Sequence, residues 1–161
     1  MMIPQNPMVK TPWLDNYGEV EPHLDYYTGT LAGAVEESAK LYPHVIAYDF
    51  MGSSTTYKKA VEEIHRCAKG LKALGIKAGD RVTICMPNAP QTLTMFYAVN
   101  LIGAVANMVH PLSAVNEIAF CIKDSGSVAA ITLDQFYGKF CEVRRQCDLP
   151  HLIITSIKDA L

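Results

Sequence analysis

The stretch "ALGIKAGDRVTICMPNAPQ" (Ala73–Gln91) decides the fold class. Gly75 closes an apolar helical pattern, Gly79-Asp80 turns the chain, and "RVTICM" is a short β-branched run. Pro90 then stands in the first turn of a second helix. Helix, turn, buried strand and helix in immediate succession belong to a βαβ repeat. The same glycines raise the question of a phosphate cradle. Such a cradle needs backbone N–H groups at a strand-to-helix turn, whereas these glycines connect a helix to a strand. No Gly-Lys-Ser/Thr ending and no G-x-G-x-x-G occur, so the glycines read as architecture.

Upstream of this stretch, Tyr57, Ala60, Val61, Ile64, Cys67, Ala68, Leu71 and Leu74 recur at steps of three and four. They make one apolar stripe on a helix that Thr56 caps. "VIAYDFMGSSTTY" before it reads as a β-hairpin around Gly52-Ser53-Ser54. "TLAGAVEESAKLYP" reads as a first helix, capped by Thr28 or Thr30, with apolar positions Leu31, Ala34, Val35, Ser38 and Leu41. Residues 1–29, rich in Pro, Asn, Tyr and Gly, are expected to form an extended arm, and residues 30–161 a single α/β domain.

Downstream, the rhythm is regular. "AVANMV", "VAAITL" and "HLIIT" are strands; "SAVNEIAFCIKDSG" and "DQFYGKFCEVRRQC" are helices between them. The expected fold is α/β: a mainly parallel sheet covered by helices on both faces, with an N-terminal extended arm and a small β-hairpin. Ligands of such sheets bind beyond the carboxyl ends of the strands. Those ends are "MPNAP" after Met86, "HPLSA" after Val109, and the residues near Leu133 and Thr155.

Composition narrows the function classes. The 161 residues carry a net charge of −2 without a basic stripe, which disfavours nucleic-acid partners. Val82 to Asn116 holds no Asp, Glu, Lys or Arg and resembles a membrane span by hydropathy. Asn100, Gly103 and Asn107 interrupt it, so a buried helix followed by a buried strand is the better reading, and no transmembrane segment is expected. The odd number of scattered cysteines and the absence of an apolar leader core point to reduced thiols in a cytoplasmic protein. No metal site is expected: His65 and Cys67 stand two apart, a spacing that points helical side chains to different faces, and the remaining cysteines and histidines, Cys147 and His151 included, read as singletons.

Candidate reactive residues are few. No G-x-S-x-G elbow exists, and Glu36-Glu37 and Glu62-Glu63 are solvated helix pairs. No catalytic residue is assigned. His65 is expected to be solvated. His110 differs from the other histidines: it ends a central strand, immediately before Pro111, where a ligand contact or a loop-stabilising role are both open.

"TTYKKAVEEIHRCAKGLKALGIKAGDRVTICMPNAPQTLTMFYAVNLIGAVANMVHPLSAVNEIAFCIKDSGSVAAIT" (Thr55–Thr132) resembles the N-terminal part of the adenylate-forming acyl-CoA synthetase (AMP-binding) family. The Thr-Tyr helix start, "ALG", "GDRV", "MPN", Gly-Ala-Val and "DSG" occur in that family's order. "PWLDNYGEVEPHLDY" and "YPHVIAYDF" look most like the fatty-acyl branch. The resemblance implies a parent enzyme that joins a fatty or other carboxylic acid to ATP, with Mg²⁺, and passes the acyl group to CoA. It also implies that His110, Pro111, Leu112 and Ser113 form a loop on the CoA side, with His110 in place of the usual Asn or Gly. The family's Ser/Thr/Gly-rich phosphate loop ending in Pro-Lys and its catalytic lysine are absent from these residues. The chain is therefore expected to be the truncated first subdomain of an acid–CoA ligase. By itself it is expected to bind no cofactor, to be inactive, and to self-associate through an uncovered sheet. The rivals are a free-standing non-catalytic binding or assembly module and a small α/β enzyme with an unrecognised site.

Overall fold

The computed structural model describes residues 10–160, so the first nine residues of the expected arm lie outside the described residues. A 3-10 turn at Pro12–Asn16 interrupts the arm, and every residue from Lys10 to Thr30 except Leu14 is exposed. Tyr27 ties the arm back by donating its hydroxyl to Glu37 Oε1 at 3.2 Å.

The helices are α1 (Leu31–Leu41), α2 (Tyr57–Ala73), α3 (Pro90–Leu101), α4 (Val115–Ser125) and α5 (Tyr137–Gln146). The strands are β1 (Ile46–Phe50), β2 (Ser53–Thr56), β3 (Arg81–Cys85), β4 (Val105–Met108), β5 (Ala129–Leu133) and β6 (His151–Thr155). β1 and β2 form an antiparallel hairpin whose turn, Met51-Gly52, has φ of 53° and 85°. Two successive positive φ values give the primed turn whose twist matches that of the strands. The other four strands form one parallel sheet in the order β4-β3-β5-β6.

Alternation along the strands divides the core in two. Val82 and Ile84 of β3 and Ala129, Ile131 and Leu133 of β5 pack on one face with Ile64, Leu71, Met95 and Val99 of α2 and α3. Cys85 and Ala130 lie in the second core with Ile118, Ile122, Phe140 and Val143 of α4 and α5. Winding reverses after β4: the chain moves outward from β3, then crosses back to the far side of β3. Because crossovers are right-handed, this reversal places α3 and α4 on opposite faces.

The asparagines that interrupt the charge-free run hold the layers together. Asn100 Oδ1 accepts the Ala32 N–H at 3.0 Å, joining α1 to α3. Asn107 Nδ2 donates to Thr83 Oγ1 at 3.0 Å and to Ser125 Oγ at 3.1 Å, with Ser127 completing the network. A buried polar group needs such partners, and the apolar lipid interior supplies none. No helix among the described residues is long and apolar enough to cross a membrane.

The first helix departs from expectation in its buried face. Thr30 caps it, accepting the Gly33 N–H at 3.0 Å, but Leu31 and Leu41 are exposed and Ala32 is the buried residue. The small alanine permits close approach to α3, which the larger side chains beside it would block.

Candidate functional site

The left-handed glycines lie at the end of the sheet opposite to the strand ends at which such folds take ligands. Gly75 and Gly79 precede β3, Gly103 precedes β4 and Gly126 precedes β5, all with φ between 61° and 86°. They cluster at the amino ends of the strands. Gly79 N–H donates to Gly103 O at 2.9 Å, and Arg81 grips the end of α4, donating from Nε to Ser125 O and from Nη2 to Gly126 O, both at 2.7 Å. "GDRV" and "DSG", far apart in the sequence, are thus one contact in space.

The carboxyl ends lie opposite. After β3 the chain turns towards α3, and after β5 it turns towards α5 on the other face, so the winding reverses between these two strand ends. A doubly wound sheet takes its ligands at such a reversal. Thr132 Oγ1 donates to Cys85 O at 2.9 Å, and Thr92 Oγ1 donates to Pro87 O at 2.6 Å, fixing the strand ends and the "MPNAP" loop. Burial pushes the Cys85 thiol up to about 11 from an ordinary 9.0, opposed by Lys139 and reinforced by Cys121. This thiol stays protonated at neutral pH and is no nucleophile.

A pH dependence follows from that thiol. The unfolded thiol ionises near 9.0 and the folded one only near 11, so its contribution is intact below the first value and lost as pH rises between them. The urea midpoint should therefore fall more for the native sequence than for Cys85→Ala between about pH 8 and about pH 10.5. Equal falls would refute it.

Beside this reversal, the loop after β4 holds the four residues singled out from the sequence; β4 is an edge strand with Val105 and Met108 exposed, not the buried central strand expected. His110 and Leu112 are exposed, Ser113 is half-buried and Pro111 is buried. His110 Nδ1 accepts the Leu112 N–H at 3.2 Å, which leaves the ring proton on Nε2, and His110 O accepts the Ser113 N–H at 3.1 Å. Lys139 of α5 donates from Nζ to Pro111 O at 2.9 Å and to Ser113 O at 3.0 Å. Sequence reasoning missed Lys139, because no helical or strand period pairs it with a loop so distant in the chain.

Two clefts flank α3. One, of about 400 Å³, is apolar and lies between the hairpin and α3, lined by Phe50, Leu93, Phe96, Tyr97 and Met108. The other, also about 400 Å³, is of mixed lining and lies towards β6, with Lys59, Glu63, Arg66, Gln91 and Asp159 as well as Met95 and Ile153 on its walls. Gln91 Nε2 donates to Ser156 O at 2.7 Å there, while its Oε1 is buried without a partner among the described residues. His65 is on another surface, paired with Glu36 at 2.7 Å rather than simply solvated. No group of His, Cys, Asp or Glu among the described residues is arranged to hold a metal.

A family model described as "AMP-binding enzyme" matches residues 35–160. The chain belongs to the AMP-binding enzyme family. This AMP-binding chain is 30% identical over 151 residues to a long-chain-fatty-acid–CoA ligase of Bacillus subtilis, covering 93% of itself and 27% of that relative. It is 32% identical over 135 residues to a 3-hydroxypropionyl-coenzyme A synthetase of Sulfurisphaera tokodaii, covering 83% of itself and 19% of the relative. Among solved structures, a fatty acyl CoA synthetase of Mycobacterium tuberculosis superposes with a TM-score of 0.72 at 30% identity, over 81% of this chain and 27% of that one. The AMP-binding chain thus spans about a quarter of the length of such relatives.

Proposed function

We propose that this region is the N-terminal part of an ATP-dependent, AMP-forming acid–CoA ligase acting on fatty acids. The observation that carries this reading is the alignment with the Bacillus subtilis long-chain-fatty-acid–CoA ligase over 93% of the chain. In the proposed reaction a carboxylate oxygen attacks the α-phosphorus of ATP and pyrophosphate leaves. The CoA sulfur then attacks the acyl carbonyl and AMP leaves.

Within this scheme residues 1–161 supply scaffold. Their left-handed glycines sit at the wrong end of the sheet to cradle phosphates, so ATP and Mg²⁺ do not fit the residues present and no step is assigned to them here. The 110–113 loop suits the CoA side better: it stands at a strand's carboxyl end and presents an Nε2–H donor to solvent. A cytoplasmic location agrees with five unpaired cysteines.

Acid-dependent exchange of pyrophosphate into ATP tests the reading in the full-length protein. Exchange with fatty acids is expected from that protein and not from residues 1–161 alone. No exchange by the full-length protein, or exchange by the short chain, would sink the respective claim. In the same enzyme His110→Ala should raise KM for CoA by roughly tenfold, the scale of one lost hydrogen bond. An unchanged value would remove His110 from the CoA side.

A further inference from the structure

We propose that Lys139 is a positioning residue for the acceptor step: its ammonium sets the shape of the 110–113 loop that receives CoA. This rests on the ligase reading above. The loop leaves the sheet from β4, and α5 leaves it by way of β5, with β3 between them. The contacts from Lys139 Nζ to Pro111 O and Ser113 O therefore span the end of β3 beside the point where winding reverses. Cys85, at that strand end, directs its Sγ at His110 O across 3.8 Å beneath the bridge.

Two features separate this bridge from an ordinary surface lysine. The side chain is half-buried, and its charge lies 5.5 Å from the centroid of the Phe136 ring, with no carboxylate in ion-pair range among the described residues. An ammonium has three donor hydrogens, and two are committed to the loop carbonyls. The loop, in turn, depends on them. Among the described residues, these are the hydrogen bonds that join Pro111–Ser113 to another element; the amides of Leu112 and Ser113 bond only back to His110. Removing the ammonium leaves His110 anchored at its carbonyl by Cys85, while Pro111–Ser113 beyond it keeps only its local turn and the burial of Pro111.

The experiment compares Lys139→Met and Lys139→Arg with the unsubstituted full-length protein in both half-reactions. Lys139→Met should raise KM for CoA about tenfold, as expected for loss of a charge-assisted contact, while pyrophosphate exchange stays within about twofold. Lys139→Arg, which keeps charge and donors, should recover most of the difference. Amide hydrogen exchange at Leu112 and Ser113 should speed up in Lys139→Met, with the strand amides of β3 and β5 unchanged. Unchanged KM for CoA, or parallel loss of both half-reactions that Lys139→Arg does not restore, would overturn the role. Unaltered amide exchange in the loop would overturn it as well. Absence of exchange in the unsubstituted protein would instead bring down the ligase reading, and the acceptor role with it.

Discussion

Phe140→Ala should cost about 3–5 kcal/mol of folding stability, the range for truncating a fully buried aromatic residue. Phe140 is completely buried in the second core, among Ile118 and Ile122 of α4, Val143 of its own helix, and Leu149. Its ring is the largest fully buried side chain among the described residues, and α4 and α5 meet around it. The surrounding helices can close only part of the space, so the loss combines transfer from water with a residual cavity. Against a total of about 5–15 kcal/mol, that is enough to shift the unfolding midpoint by about 10 °C. Tyr137→Ala is the internal control: its side chain is 55% exposed and its replacement should matter little. Urea unfolding with an unchanged slope measures both. A cost below about 1 kcal/mol at Phe140 would show that the α4–α5 face is not closed.

The second large effect is expected at Arg81. Its guanidinium donates to three carbonyls, Gly79 O at 3.1 Å and Ser125 O and Gly126 O at 2.7 Å. Two of these belong to the end of α4, where the helix dipole also favours positive charge. Arg81→Met keeps the length of the side chain and removes all three bonds. Part of the loss is recovered by water because the group is only half-buried, so about 2–3 kcal/mol is expected. Lysine cannot reproduce the planar fork and should restore less than half. Gly126→Ala tests the same joint from the other side. Its φ is 61°, and a Cβ there would lie 2.6 Å from Arg81 Nη2. Combined with Arg81→Met, it should cost less than the sum of the two single changes, because the collision disappears with the guanidinium. Strict additivity would separate the two residues energetically.

Much of the fold was legible because local chemistry and global topology agree. Gly75 and Gly126 end helices, Pro90 starts one, and Thr56 accepts the Lys59 N–H at 3.4 Å as its cap. The buried face of α1 was not legible. Leu31 and Leu41 suggest a stripe, but burial is decided by which side of the helix meets α3, and a helical period of apolar residues carries no information about its partner. The same limit applies to the site. His110 could be placed from its position at a strand end, whereas Lys139 acts across 26 to 28 positions of sequence. Arg81 reads only as the first residue of a strand for the same reason; its partners on α4 lie 44 and 45 positions away.

The positive-φ glycines and the Arg81 clamp concentrate conformational constraint at the amino end of the sheet. The opposite rim is held by side chains reaching to backbone carbonyls: Thr92, Thr132 and Lys139. Such contacts can be rebuilt by other donors without changing any φ, whereas a left-handed glycine has few substitutes. Mutational tolerance should therefore run as a gradient along the strands. One end preserves the architecture, while the other can be rewritten by exchanging side chains alone.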